Sequence, residues 1–306
     1  MKKRDPVLLW LRCICASVAL IVVVGGITRL TDSGLSMVDW RPVMGILPPL
    51  SSADWEEVFA NYQEIPQGKH TGVAKTLEEF KSIFFWEYLH RILGRVVGLI
   101  CLLPYLWLLW SNRLSKPLKK KGLCLVALVA TQGLIGWYMV KSGVDPGSTL
   151  VMVSHYRLAL HLALAFALFG LAWWMILDLR FGDERTNGSR KLRFWAMGLF
   201  GVFCLQVIYG AFVSGLKAGY GFHTFPKMGG EWFPPFVFLQ DPFWRNFVAD
   251  PLSMQFIHRW LGTCLTLGTV ALGVFAFRSG LLDKIQHRNA ICLLVLVLVQ
   301  FGLGVS

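Results

Sequence analysis

The sequence has little charge for its length. Only 16% of its 306 residues are Asp, Glu, Lys or Arg, and 55% are hydrophobic, whereas soluble domains carry about 25% charged residues. This composition excludes an ordinary soluble domain and predicts an all-α polytopic membrane protein. Apolar runs near the length of about 20 residues that spans a bilayer occur seven times. They are residues 8–28, 84–110, 123–141, 155–178, 194–216, 254–277 and 290–306.

Cysteine is missing from the two long connections between these runs, residues 31–82 and 218–253. All seven cysteines lie within or beside apolar runs, so a structural disulfide in the long connections is not expected. Basic residues cluster in the alternate, shorter connections, which the positive-inside rule places in the cytoplasm. We therefore expect a multi-pass protein of the cell (inner) membrane, surrounded by lipid, with a cytoplasmic N-terminus. The net charge of +12 then reflects topology and does not predict nucleic-acid binding.

The chain repeats itself. Residues 25–28 and the connection after them resemble residues 210–213 and their connection, at an offset of 184–186 residues. Residues 89–94 resemble residues 257–262 at an offset of 168. The same offset pairs Gln132 with Gln300 and Gly136 with Gly304. A parallel repeat of this kind predicts two similar units.

We therefore expect two pseudo-symmetric four-helix bundles, residues 1–180 and residues 181–306. Eight helices are expected, and seven are visible in the sequence. The equivalent of His161 would fall beyond Ser306, which ends an uncapped apolar run. Either the sequence is a truncated copy of a longer protein, or the second half has lost its eighth helix. The uncapped run favours truncation.

Three of the seven histidines lie inside apolar runs: His90, His161 and His258. Ionisable groups in a membrane are costly and usually functional. Imidazoles on facing helices of a bundle can ligate a haem iron from opposite sides. We expect one haem between His90 and His161 and another at His258, whose second ligand is not in this chain. Zinc is the weaker alternative, because the other runs offer no additional carboxylates.

The two repeated histidines are each followed by an arginine, Arg91 and Arg259, which can pair with haem propionates. One difference breaks the symmetry, because Glu87 in the first half corresponds to Gln255 in the second. A buried carboxylate beside one haem suits proton transfer or stabilisation of a developing cation. A pure electron conduit has no need of it. The alternative role for Glu87 is an ion pair with Arg91, four residues later.

Several motifs make the chain resemble the haem A synthase family of bacteria and mitochondria. They include Glu-Tyr-Leu-His-Arg at 87–91, with its counterpart Gln-Phe-Ile-His-Arg at 255–259. The remaining motifs lie at residues 25–31, 33–37, 40–42, 85–86, 156–162 and 224–228. Together they extend across almost the whole chain.

The resemblance implies eight transmembrane helices and an oxidoreductase that converts the ring methyl of haem O to the formyl group of haem A, for terminal oxidase assembly. It implies His90 and His161 as axial ligands of the substrate haem, Glu87 as the catalytic carboxylate, and His258 as an axial ligand of a haem b cofactor. It also implies successive hydroxylations of the methyl, the second giving a gem-diol that loses water.

The expected partners are haem O, an unidentified electron donor, haem O synthase, oxidase assembly factors and a second copy of the chain. Two departures from the family stand out: the outer connection has no cysteine pair, and His223 stands where relatives often have Asn. The alternative function is a di-haem b electron-transfer or haem-carrier protein without chemistry of its own. The two functions differ in what they require of Glu87.

Overall fold

The regular structure of this chain is helical. The computed structural model describes residues 5–38, 46–145, 147–182, 189–280 and 282–306, and these contain no β-strand. The helices are α1 (Pro6–Leu30), α2 (Ser52–Glu64), α3 (Pro66–His70), α4 (Leu77–Trp110), α5 (Lys116–Val144), α6 (His155–Phe181), α7 (Arg190–Gly215), α8 (Pro251–Arg278) and α9 (Lys284–Val305). All except α2 and α3 are long and apolar enough to cross a membrane, which confirms the seven predicted spans.

Helices α1 and α4 begin earlier than the apolar runs, and polar residues cap them. Asp5 accepts a hydrogen bond from the backbone N–H of Val7 at 2.9 Å, and Pro6 occupies the first turn of α1. In α4, Thr76 and Glu79 form a reciprocal capping box of the kind that satisfies free N–H groups. With 34 residues, α4 is about 50 Å long at 1.5 Å per residue. It therefore extends beyond a hydrocarbon layer of about 30 Å.

Helices α2 and α3 lie in the first long connection, where the sequence predicted no helix. Helix α2 packs on the extension of α4 through Tyr62, Phe80 and Phe84, all of which are buried, and α3 contacts α5. Burial and the nearby Asp32 raise the pKa of Tyr62 to about 12, so its phenol remains protonated at neutral pH. Gln67 ties α3 to the end of α1, because its Nε2 donates to the carbonyl of Asp32 at 3.1 Å.

The chain divides into two compact units, Met1–Glu184 and Arg185–Ser306. In the first unit α1 packs on α4 and α6, and α5 packs on the same two helices. Helices α4 and α6 are therefore opposite each other in a four-helix bundle. In the second unit α8 packs on α7 and α9. In the sequence repeat, α7 corresponds to α1, α8 to α4 and α9 to α5.

Near one end of the first bundle, a hydrogen bond between α1 and α4 compensates for a proline inside α4. Pro104 lies inside α4 and has no N–H, which leaves the carbonyl of Ile100 without its helical donor. The indole of Trp10 donates to that carbonyl at 3.1 Å and lies 3.2 Å from the carbonyl of Cys101. Trp10 also stacks on Tyr105. An interhelical hydrogen bond thus replaces the one that the proline removes.

The first unit has two apolar clusters, and a layer of polar residues lies between them. The first cluster includes Trp10 through Val18 of α1 and Val97 through Leu108 of α4. The second cluster holds Phe80, Ile83 and Phe84 at the other end of α4. Glu87, His90, Arg91 and Arg95 fall between these two stretches of α4. The predicted site residues of α4 therefore occupy one level of the bundle.

Candidate haem sites

Each predicted histidine ligand lies against a glycine of a neighbouring helix. The pairs are His90 with Gly25, His161 with Gly136 and His258 with Gly210. A Cβ on Gly25 would come within 3.0 Å of the Cε1 atom of His90, and the other two distances would be 3.1 Å. Side chains larger than hydrogen would therefore push the imidazoles from their places. Glycine at these points allows the rings to pack directly on backbone.

The three rings share a second feature. Nδ1 of each histidine is buried and has no hydrogen-bond partner among the described residues, although each residue as a whole is only half-buried. His90 and His161 belong to opposite helices of the first bundle. Glycine cradles, unpartnered ring nitrogens and opposed helices fit a planar haem held from both sides. His258 has the same cradle and the same unpartnered nitrogen.

Glu87 is the buried carboxylate of the first site, with 3% of its surface exposed. Its Oε2 accepts hydrogen bonds from Ser36 Oγ at 2.7 Å and from the backbone N–H of Met37 at 3.0 Å. Its Oε1 accepts from the guanidinium of Arg91 at 2.5 Å, so the ion pair expected as an alternative role is present. Arg91 also donates to the carbonyl of Met37 at 2.9 Å. Glu87 and Arg91 together bind both backbone groups of one loop residue.

The second site also binds a loop residue, but through a donor where the first site has an acceptor. Phe222 lies 185 residues after Met37, the offset that joins the two loops. The guanidinium of Arg259 donates to the Phe222 carbonyl at 2.5 Å, as Arg91 does to Met37. The amide of Gln255 also donates to that carbonyl, at 2.9 Å. The second site thus binds the carbonyl twice, whereas the first binds the N–H through a carboxylate.

The sequence did not single out two polar contacts at the Nε2 atoms of His161 and His258. Gln132 Nε2 lies 3.4 Å from Nε2 of His161 and donates to the carbonyl of the same residue at 2.9 Å. Gln206 Nε2 lies 3.4 Å from Nε2 of His258. The repeat flagged Gln132 through its pairing with Gln300. It gave no such signal for Gln206, because the equivalent residue in the first half is Ile21.

The sequence also did not predict Ser36 and Arg95 as residues of the first site. Ser36 is 1% exposed and belongs to a predicted motif, but its bond to Glu87 has no sequence signature. Arg95 lies one turn after Arg91 and donates to its carbonyl at 3.0 Å. Its signal was available, since an arginine inside an apolar span is costly. The second half has Thr263 at this position.

The other four histidines are not among these three cradled rings, although His223 belongs to the loop whose Phe222 and Thr224 carbonyls accept from Arg259. His70, His223 and His287 are exposed. His155 begins α6 and its ring packs on Tyr156, with the ring centres 3.9 Å apart. The motif at residues 40–42 lies outside the described residues.

Comparison with known proteins adds independent information. The model of a family described as cytochrome oxidase assembly protein matches residues 8–306. A haem A synthase of Nitrosospira multiformis is 41% identical over 99% of this chain and 85% of its own length. Haem A synthases of Nitrosomonas eutropha (39%; 98% of this chain and 85% of the relative) and Bradyrhizobium sp. strain BTAi1 (41%; 97% and 82%) are similarly close. No solved structure matches the chain.

Proposed function

The chain belongs to the cytochrome oxidase assembly protein family, and we propose that it is a haem A synthase. In this role it is a membrane oxidoreductase that converts the ring methyl of haem O to the formyl group of haem A and so supports assembly of the terminal oxidase. The identity of about 40% to haem A synthases over nearly the full chain supports this assignment. The product supplies a terminal oxidase with its haem.

The observation that carries the proposal is the asymmetry between Glu87 and Gln255. We place substrate haem O between His90 and His161, on opposite helices of the first bundle. Glu87 lies one helical turn before His90 and is fixed by three donors on two sides. A carboxylate held in this way costs no reorganisation when positive charge or a proton develops nearby. The equivalent amide of Gln255 cannot accept a proton.

The reaction itself proceeds on the substrate. Each hydroxylation replaces one C–H bond of the methyl by a C–OH group, with dioxygen as the oxidant. One oxygen atom enters the C–H bond, and the other leaves as water with two electrons from the electron donor and two protons. After the second hydroxylation the gem-diol carbon loses water to give the aldehyde. Glu87 is the group of this chain placed to take or return a proton during these steps. Ser36 and Arg91 keep its two oxygens in place.

In the second unit, His258 is the proposed axial ligand of a haem b cofactor. That cofactor, when bound, supplies one-electron transfer. Arg91 and Arg259 are the proposed partners of the propionates, and both also donate to loop carbonyls. The placement of basic residues supports an inner-membrane protein with its N-terminus in the cytoplasm and its haem sites toward the outer face. An electron donor, haem O synthase, oxidase assembly factors and a second copy of the chain are the proposed partners.

The test is Glu87→Gln in cells supplied with haem O. We expect haem A formation to fall about 100-fold, since removing one preorganised electrostatic group costs roughly that much. Bound haem should be retained, because both histidines are unchanged. The measurement is extraction and quantification of haems B, O and A from the purified protein.

Glu78→Gln is the matched control. Glu78 lies on the same helix, is 82% exposed and forms only a surface ion pair with Lys81, so its replacement should leave haem A formation unchanged. A di-haem carrier without its own chemistry predicts no effect of Glu87→Gln either. Intact haem A formation in that variant would therefore overturn the role of Glu87.

A further inference from the structure

The end of α1 and the turn after it carry hydroxyl groups that the second unit lacks at the equivalent positions. By the offset of 185, Thr28 corresponds to Val213, Thr31 to Leu216, Ser33 to Ala218 and Ser36 to Gly221. One of these hydroxyls, that of Ser36, donates to Glu87, which is itself replaced by Gln255 in the second unit. The unit with the buried carboxylate is therefore also the unit with the hydroxyl groups.

The two turns nevertheless have the same backbone conformation. The equivalent residues Asp32 and Lys217 have φ angles of +54° and +52°, which are uncommon for residues other than glycine. The backbone N–H groups of Thr31 and Leu216 each donate at 2.9 Å to the carbonyl four residues earlier. The second unit thus forms this turn without the hydroxyls. They are not required for the turn and are available for another role.

The hydroxyls of the first unit extend from Glu87 towards a partly exposed carboxylate. The buried Ser36 donates to Glu87 Oε2 at 2.7 Å. Ser33 lies in the same turn, because its carbonyl accepts from the N–H of Ser36 at 3.2 Å. Its buried hydroxyl lies 2.5 Å from that of Thr31, and the side chain of the next residue, Asp32, is 20% exposed. We call Thr31, Ser33 and Ser36 the hydroxyl series.

Two buried polar atoms near Asp32 have no hydrogen-bond partner among the described residues, namely Tyr62 Oη and Gln67 Oε1. Burial and the nearby Asp32 raise the pKa of Tyr62 to about 12, so its phenol can donate. Gln67 is held beside Asp32 by the bond from its Nε2 to the Asp32 carbonyl. Buried polar groups are normally satisfied, commonly by internal water. The surroundings of Asp32 therefore suit internal water.

We propose that the hydroxyl series carries protons from the aqueous phase at Asp32 to Glu87, with internal water completing the connections. The proposal rests on the proposed function, in which each hydroxylation consumes two protons. Ser36 Oγ gives its proton to Glu87 Oε2 and takes another from the side of Ser33, so that one O–H bond breaks and one forms without movement of electrons between residues. Glu87 passes the proton to the oxygen atom that leaves as water. The proposed cofactor of the second unit transfers only electrons, which explains the absence of the series there.

The test measures haem A formation by isolated cell membranes supplied with haem O and NADH, in H2O and in D2O. Ser33→Ala removes the central hydroxyl and should fold, since Ala218 occupies the equivalent turn. We expect the rate to fall about tenfold, less than the roughly 100-fold that positioned proton transfer contributes, because water replaces part of the lost hydroxyl. The ratio of the rates in H2O and D2O should increase. Ser33→Thr keeps a hydroxyl and should recover most of the rate.

Thr28→Val is the matched control. The hydroxyl of Thr28 donates to the Val24 carbonyl at 2.9 Å within α1, and the second unit has Val213 at this position. The rate and the isotope ratio should both remain unchanged. A wild-type rate in Ser33→Ala would overturn the proposal. A lower rate with an unchanged isotope ratio would mean that Ser33 only supports the loop, and would overturn it as well.

A second measurement detects the internal water without turnover. Hydroxyl radicals that X-ray pulses generate from water oxidise the nearest side chains, and mass spectrometry of the purified holoprotein locates the oxidation. Tyr62 should be oxidised although it has no exposed surface. Tyr105 is the control, because it is also buried and its hydroxyl already donates to the Lys119 carbonyl at 3.0 Å. Oxidation of Tyr62 as low as that of Tyr105 would overturn the internal water and the proton path with it.

Failure of the proposed function would give a different result. Wild-type membranes that form no haem A would overturn the function together with the proton path. Wild-type membranes that form haem A at the same rate as those with Ser33→Ala would overturn only the path through the hydroxyl series. The wild type is therefore measured first.

Discussion

The site around His90 on α4 and the site around His258 on α8 share one backbone arrangement and differ in several polar side chains. In both, a histidine rests on a glycine and the next residue is an arginine that donates to a loop carbonyl. These shared parts suit the haem proposed for each site. The differences at neighbouring positions include Glu87 against Gln255, Ser36 against Gly221, Arg95 against Thr263 and Ile21 against Gln206. The two units therefore share a frame and differ in the polar side chains around it.

The charged differences compensate each other. The first site has Glu87 and Arg95 where the second has two neutral residues, so both sets retain the same net formal charge. An isolated buried charge is unfavourable, and Glu87 is paired with Arg91. The first unit thus gains a carboxylate without becoming more negative. A buried carboxylate is accommodated in the bundle in this way.

The largest effect is expected when the proposed histidine ligand is removed from one unit at a time. His258→Ala should lower bound haem B by about tenfold or more, since even outer partners of metal ligands are worth 10- to 100-fold in affinity. His90→Ala should remove haems O and A and leave haem B in place. Haem extraction and visible spectra measure both. His70→Ala is the control, because His70 is exposed at the end of α3.

Loss of both haems in either ligand variant would contradict two separately loaded sites. Retention of haem B in His258→Ala would reject that residue as a ligand.

A smaller effect should follow from filling the glycine cradles. Gly25→Ala places a Cβ about 3.0 Å from His90 Cε1, and Gly210→Ala places one about 3.1 Å from His258 Cε1. Such contacts are tighter than ordinary packing, and overpacking typically costs about 1–3 kcal/mol. We expect each variant to weaken haem binding in its own unit by about fivefold to a hundredfold. Haem content per purified protein is the measurement.

The chain contains a matched control for the glycines. A Cβ on Gly26 would meet nothing within 4 Å, and the second unit already has Ala211 at that position. Gly26→Ala should therefore retain full haem content. Equal losses from Gly25→Ala and Gly26→Ala would show that the effect comes from the helix and not from the imidazole.

What the sequence could predict follows from periodic and repeated signals. The seven spans are visible because lipid requires long apolar runs, and the candidate ligands are visible because ionisable residues in such runs are rare. Helices α2 and α3 lack this signal, since α2 is held by aromatic packing on α4 and α3 by the hydrogen bond from Gln67 to Asp32. The partners of Glu87 were also invisible. A bond to the backbone N–H of Met37 depends on loop conformation and leaves no residue pattern.

The repeat gave more than composition, but only within the motifs that it aligns. It paired Glu87 with Gln255, and the difference between them motivated the functional hypothesis. It gave no hint of Gln206, because neither Gln206 nor the equivalent Ile21 belongs to a motif. Only the structure places Gln206 beside His258.

The smallest predicted effect concerns a contact of the first unit that the second does not share. Trp10 and Trp195 are equivalent by the offset of 185, but Pro104 of α4 corresponds to Leu272 of α8. Trp10→Phe should destabilise the protein by about 1 kcal/mol, the net value of one hydrogen bond, because the Ile100 carbonyl loses its indole donor. Trp195 is 55% exposed, so Trp195→Phe should leave the thermal unfolding midpoint in detergent almost unchanged. Equal shifts would mean that aromatic bulk, and not repair of the proline gap, fixes this end of the bundle.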